Sequence, residues 1–118
     1  MSEATIAVID RLVEACAALK PLFDEHLEDN FGEVLPHLLL GDMTRQLVGQ
    51  TAGPGAFRDT EAALRQLEDE FASGTDEVKE LIAVSFLENL PERPESGLDL
   101  RLALGPSLKR ELSRMREL

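Results

Sequence analysis

Two groups of polar residues in this chain have the types and spacing to do chemistry. The first lies in Pro36-His37-Leu38-Leu39-Leu40-Gly41-Asp42-Met43-Thr44-Arg45, where His37, Asp42 and Arg45 interrupt an otherwise apolar helix. An imidazole, a carboxylate and a guanidinium around one pocket could bind a polar ligand or move a proton. The same spacing also suits a plain helix surface, with Asp42 and Arg45 meeting as an ion pair three residues apart while His37 shields the first turn. The second group is acidic. Asp24, Glu25, Glu28, Asp29 and Glu33 occupy one short helix and its exit, and from Pro21 to Thr44 six acids stand without a Lys or Arg. Such a run is either a solvated face or a docking surface for a basic protein, whose approach it would steer over about 8–10 Å.

Other chemistries lack their residues. Gly53-Pro54-Gly55 has neither the spacing nor the following Lys of a phosphate cradle. There is no Gly-x-Ser-x-Gly elbow, and the single Cys16 has no partner for a nucleophilic triad. His26 and His37 are eleven positions apart on different predicted helices, which is not zinc spacing. Phe23 and Val34 stand three before the two histidines, where a di-metal bundle would want Glu. No catalytic, cofactor or metal residues are therefore expected.

The elements that must position the two groups are helical. With 118 residues, 43% of them hydrophobic and 30% charged, the chain fits one globular domain over 1–118. Apolar residues at Ile6, Ile9, Val13, Cys16 and Leu19 predict a first helix from Glu3 to Leu19, capped by Ser2, with Asp10, Arg11 and Glu14 off the stripe. Pro21 separates it from a short acidic helix, Leu22 to Asn30, that Gly32 ends. A third helix, Pro36 to Gln50, is densely apolar (Leu38, Leu39, Leu40, Met43, Leu47, Val48) and should be largely buried. Gly41 within it implies a close crossing or a bend.

Thr51-Ala52-Gly53-Pro54-Gly55 is a loop. A fourth helix, Ala56 to Ala72, faces inward with Phe57, Leu64, Leu67 and Phe71 and keeps Arg58, Asp59, Glu61, Arg65, Glu68, Asp69 and Glu70 wet. Thr75 caps a fifth, Asp76 to Leu90, which is apolar on most of its circumference and should be the centre of the core. Pro91 to Gly97 is a linker, Leu98 to Leu104 a short helix, and Gly105-Pro106-Ser107 opens a last helix with Leu108, Leu112 and Met115 inside. A weak echo at an offset of 44 residues, Val34 to Met43 against Val78 to Leu87, is compatible with HEAT-like helical hairpins.

Charge sets the sign of the partner. The net charge is −11, yet residues 100–118 carry +3, which leaves −14 on the first 99. Such a surface repels phosphate backbones and anionic lipid, and the lack of Tyr and Trp removes platforms for stacking bases. No nucleic-acid or membrane partner is expected. No apolar run approaches the roughly 18 residues of a membrane span. Met1-Ser2-Glu3-Ala4-Thr5 has no basic run, and a lone Cys16 forms no intramolecular disulfide, so a cytoplasmic location is expected.

Three segments, Phe23-Asp24-Glu25-His26-Leu27, Leu35-Pro36-His37-Leu38-Leu39-Leu40-Gly41-Asp42 and Leu81-Ile82-Ala83-Val84-Ser85-Phe86-Leu87-Glu88-Asn89-Leu90, together with Leu104-Gly105-Pro106-Ser107-Leu108, resemble a family of small, acidic, all-helical bacterial proteins grouped as a domain of unknown function. The resemblance covers most of the chain. It implies an all-α fold and brings no activity and no catalytic residues.

The reading is thus an all-α bundle of about six helices, monomeric or homodimeric. Its expected function is a non-enzymatic protein–protein interaction module, in its most concrete form an inhibitor or immunity protein for a basic toxin, docking through Asp24, Glu25, Glu28, Asp29 and Glu33. The alternative is a small ligand-binding protein or enzyme with its pocket at His37, Asp42 and Arg45.

Overall fold

The first helix stops earlier than its apolar stripe does. In the computed structural model, which describes residues 3–49, 56–90 and 103–116, α1 runs Glu3–Ala15. Cys16 then leaves the helical region (φ −133°, ψ 89°), and a 3-10 turn, Ala17–Leu19, leads into α2, Lys20–Asp29. The expectation of one helix reaching Leu19 fails on sterics. In a continuous helix Pro21 would press its ring against the Ala17 carbonyl, four residues back. The break upstream frees that carbonyl, which accepts the Lys20 N–H instead.

The buried stripe of α1 is also turned from the expected one. Thr5, Val8, Ile9 and Leu12 are buried, while Ile6 and Val13 are half-buried. Both stripes are apolar in sequence. Packing against α3 (Pro36–Gly49), α4 (Ala56–Ser73) and α5 (Asp76–Ser85) selects the one that includes Val8 and Leu12. After α5 a 3-10 turn, Leu87–Asn89, closes the segment, and α6 spans Pro106–Arg116. Six α-helices and no strand are present among the described residues, so the fold is an all-α bundle. The Ser2 cap, the loop at 51–55, the linker at 91–97 and most of the short helix at 98–104 lie outside the described residues, as does the Phe57 side chain.

α5 begins where Thr75 accepts the Val78 N–H at 3.3 Å, with Asp76 and Glu77 favourably placed in its first turn. It packs on α1, α3 and α4. Leu81, Ile82 and Phe86 are all 0% exposed, and each such burial contributes about 1.5–3 kcal/mol. The helix ends at Ser85 and not at Leu90, and Val84 is exposed, so its apolar surface is not covered all round. Leu38 on α3 is another exception: 52% of it is exposed, against the expected burial. Around Gly41 a Cβ would meet side-chain atoms of Asn89 and Arg45 at 3.6 and 3.7 Å, ordinary contact, so no close crossing occurs there. The two segments of the 44-residue echo, α3 and α5, pack on each other.

Two acids assigned to the wet side of α4 are structural. The Glu68 carboxylate accepts the Ser107 and Leu108 N–H groups at 3.1 and 3.0 Å, capping α6, whose Leu108 and Leu112 are buried. Gly105 makes room for it, since a Cβ there would lie 2.5 Å from Glu68 Cγ. Glu70 is buried and accepts from Arg11 Nη2 at 2.8 Å and Gln66 Nε2 at 2.9 Å, tying α1 to α4. Burial raises the Glu70 carboxyl, but the hydrogen bonds from Arg11 and Gln66 and the Arg11 charge together outweigh it and hold the group below its ordinary 4.5. The outward appearance of these acids in sequence misled because each meets a partner about 40 residues or more away.

Candidate functional site

The connection from α2 to α3 departs from the local rules that the rest of the fold obeys. α2 ends in a left-handed turn in which the Gly32 N–H donates to the Leu27 carbonyl at 2.7 Å, the long bond of a Schellman cap. In that motif the residue before Gly32 takes the left-handed conformation usually filled by Gly. Here it is Phe31, with φ 56°, and Gly32 follows at φ 82°. A bulky side chain in this conformation costs about 1–2 kcal/mol. Phe31 is also 100% exposed, so no burial offsets that cost within the chain.

The turn is nevertheless firmly held. The Glu33 N–H donates to the Asn30 carbonyl at 3.0 Å, and Asn30 Nδ2 donates to the His26 carbonyl at 2.8 Å. His26 is the one buried residue of α2, and its Nε2 accepts the Leu35 N–H at 3.0 Å, pinning the return strand of chain to the helix. Leu22, Phe23 and Leu27, the apolar residues of this helix, are only half-buried.

Glu25, Glu28, Asp29 and Glu33 are all exposed around this tip, and no cation among the described residues is bridged to them. Asp24 differs: Lys20, one turn earlier and just outside the acidic run, pairs with it. The expectation that all five acids lack a cation is therefore corrected at Asp24. Between α2 and α3 lies an open cleft of about 260 Å³, with Leu22 and Leu38 as its apolar part and Glu25, Asp29 and Asp42 as its acids. His26 and Asn30 complete it.

His37, Asp42 and Arg45 are placed apart. Asp42 and Arg45 pair with each other on the exposed side of α3, and of the three only Asp42 lines the α2–α3 cleft. His37 turns toward α5, with Nδ1 at 2.8 Å from Ser85 Oγ. The contact has the elements of a serine–histidine dyad but the wrong exposure: Ser85 is buried and His37 is exposed, so the hydroxyl cannot meet a substrate. It belongs to a polar seam between helices, in which Thr44 Oγ1 donates to the Leu40 carbonyl and Asn89 Nδ2 to the Ser85 carbonyl, 2.7 and 2.8 Å away.

A wider cleft of about 450 Å³ lies between α5 and α6. Several of its ionic groups are matched inside the chain: Arg114 pairs with Glu111, and Lys79 stands 5.9 Å from the centre of the Phe71 ring. Among the described residues no group of three or more His, Cys, Asp or Glu could hold a metal ion, and no helix is long and apolar enough to cross a membrane. Cys16 is buried.

Phe31, Leu38, His26 and Asn30 are the members of this tip that sequence reasoning missed. A signal for Phe31 was present. It is the only apolar residue from Glu28 to Glu33, although the usual cap would put Gly32, and not Phe31, in the left-handed position.

No curated protein and no solved structure matches the chain. A family model, described as Domain of unknown function (DUF7674), matches residues 9–117, from within α1 to the end of α6 and across both halves of the α2–α3 tip; the chain belongs to that family.

Proposed function

We propose that the protein is a non-catalytic protein–protein interaction module that docks a basic protein through the α2–α3 tip. The observation that carries this reading is Phe31, a fully exposed aromatic held at positive φ by a hydrogen-bonded turn. Burying such a ring against a partner returns about 1.5–3 kcal/mol, more than the left-handed conformation costs. One ring does not make a complex, since micromolar affinity needs about 8 kcal/mol. Leu38 extends the apolar contact, and Glu25, Glu28, Asp29 and Glu33 form an acidic rim. An apolar centre within a charged rim is the common arrangement of docking faces, with the rim setting association rate and partner choice.

The sign of that rim favours a partner with a basic face, as an inhibitor or immunity protein would need to occlude a basic toxin. A net charge of −11 supports a protein partner over nucleic acid. A cytoplasmic setting belongs to the same proposal and is supported by the single, buried Cys16.

The test is capture from the source cells at low salt with the wild type and with Phe31→Ser, followed by stopped-flow mixing with the captured protein. A basic protein that is lost with Phe31→Ser supports the reading. Changing Glu25, Glu28 and Glu33 together to Gln should slow association several-fold at low salt and flatten its salt dependence. Equal capture by Phe31→Ser, or equal association rates across the ionic-strength series, would contradict it.

A further inference from the structure

The turn that presents Phe31 touches one imidazole at both of its ends. Where it begins, the Asn30 side-chain amide lies 3.4 Å from His26 Nδ1. Where it ends, the Leu35 N–H donates to His26 Nε2 at 3.0 Å, and the Leu35 carbonyl accepts the Leu39 N–H at 2.9 Å as α3 starts. A backbone N–H can only donate. Nε2 must therefore present a lone pair, and the ring that holds Leu35 is neutral, with its proton on Nδ1. Among side chains only imidazole ordinarily changes charge between about pH 5 and 8. A second proton would go on Nε2 and set one donor against another. His26 is 6% exposed, so little water is at hand to take up the charge, and the charged ring has to leave the Leu35 amide. The groups that face it are acids. Glu25 and Asp29 from α2 and Asp42 from α3 line the cleft that His26 borders. Asp42 is paired with Arg45, whereas no cation among the described residues is bridged to Glu25 or Asp29. The 3-10 turn Ala17–Leu19, which also packs on α2, carries no titratable side chain, and His37 on α3 turns away to Ser85.

We infer that His26 is a pH-sensitive latch on the α2–α3 turn. Neutral, it pins Leu35 to α2 and closes the turn on which Phe31 stands. Protonated, it gives up the Leu35 N–H and turns to the carboxylates of Glu25 and Asp29. The turn is thus held where the ring is neutral and loosened as pH falls through the titration of the ring. The two bonds that close the turn without His26, Gly32 N–H to the Leu27 carbonyl and Glu33 N–H to the Asn30 carbonyl, remain, so α2 keeps its cap while the chain from Val34 to Leu35 swings free. The consequence for binding rests on the docking reading above: a looser turn presents Phe31 less precisely, and docking weakens in mild acid.

The test is an NMR titration of the ¹⁵N,¹³C-labelled protein from about pH 8 to about pH 5. The Leu35, Phe31 and Gly32 amide resonances should move with the same midpoint as the His26 ring. At the acid end the Leu35 amide should exchange with solvent about tenfold faster than the change in intrinsic rate accounts for. In His26→Gln the side-chain oxygen can accept the Leu35 N–H but takes no proton, so these amides should stay still across the range. With the partner captured at neutral pH, the dissociation constant of the wild type should rise several-fold from about pH 7.5 to about pH 5.5, and that of His26→Gln should not. Turn amides that ignore the His26 ring, a ring that stays neutral over the whole range, or an equal response in a folded His26→Gln would overturn the inference. Should His26→Gln not fold, the wild-type titration decides alone. Failure of the latch is separable from that of the docking reading. If capture depends on Phe31 while the turn amides ignore His26, the latch falls and the docking face stands. If the turn follows His26 while Phe31→Ser captures as well as wild type, the latch stands and the face built on Phe31 falls.

Discussion

In the body of the bundle, Glu70 is a buried acid, and Arg11 and Gln66 reach it from two directions. At the α2–α3 tip, four acids are exposed without a bridged cation among the described residues, and Phe31 stands entirely in solvent on a strained backbone. The body uses its difficult groups to join helices: Glu70 links α1 to α4, Glu68 caps α6, and Ser85 links α5 to α3. The tip uses hydrogen bonds with equal care, but they hold an unfavourable residue in place and contribute nothing to covering it. The contrast lies in Phe31: the body buries its large side chains or leaves them partly exposed, as at Val84, whereas the tip holds an aromatic ring wholly in solvent, the feature on which the proposed docking reading rests.

The comparison is sharpest when broken from the body side. Truncating Leu81, Ile82 or Phe86 to Ala should cost about 2–5 kcal/mol each, read by urea unfolding, because all three are completely buried. A loss under about 1 kcal/mol at all three would place the core elsewhere. Arg11→Ala should cost about 2–3 kcal/mol, less than for a fully buried pair because the Arg11 side chain is 49% exposed. It leaves a buried carboxylate with Gln66 alone.

Acid should weaken the same link. The Glu70 carboxyl titrates below its ordinary 4.5 in the folded state, so its contribution is present above that value and lost as pH falls through the lower, folded one. Glu70→Gln should flatten the fall in melting temperature between about pH 5 and pH 3. An unchanged acid limb would mean that other carboxylates govern it.

How much of this was legible in the sequence differs between the two regions for one reason. Thr75, Pro106 and the apolar positions of α5 act locally, through caps and helical period, and they placed the starts of α5 and α6 and the centre of the core. The break at Cys16 arises from Pro21 five residues later: the collision with the Ala17 carbonyl can be counted from the sequence, but the residue at which the chain leaves the helix to avoid it cannot. Arg11 and Glu70 are 59 residues apart, so no spacing rule could bring them together, and both had been assigned to solvent by their charge. At the tip the acids were legible as a group. The cleft was not, because half of it belongs to α3 and its histidine looked like an ordinary polar residue of α2.

The smallest expected effect tests the central claim most directly. If Phe31 is held in a left-handed conformation for the sake of a partner, Phe31→Gly relieves the strain and removes the anchor at once. Chemical denaturation of this variant beside wild type should show stability unchanged or raised by up to about 1 kcal/mol, while binding of the captured partner weakens by tenfold or more. A loss of stability with binding intact would contradict the account: Phe31 would then be a structural residue, and the tip an ordinary turn.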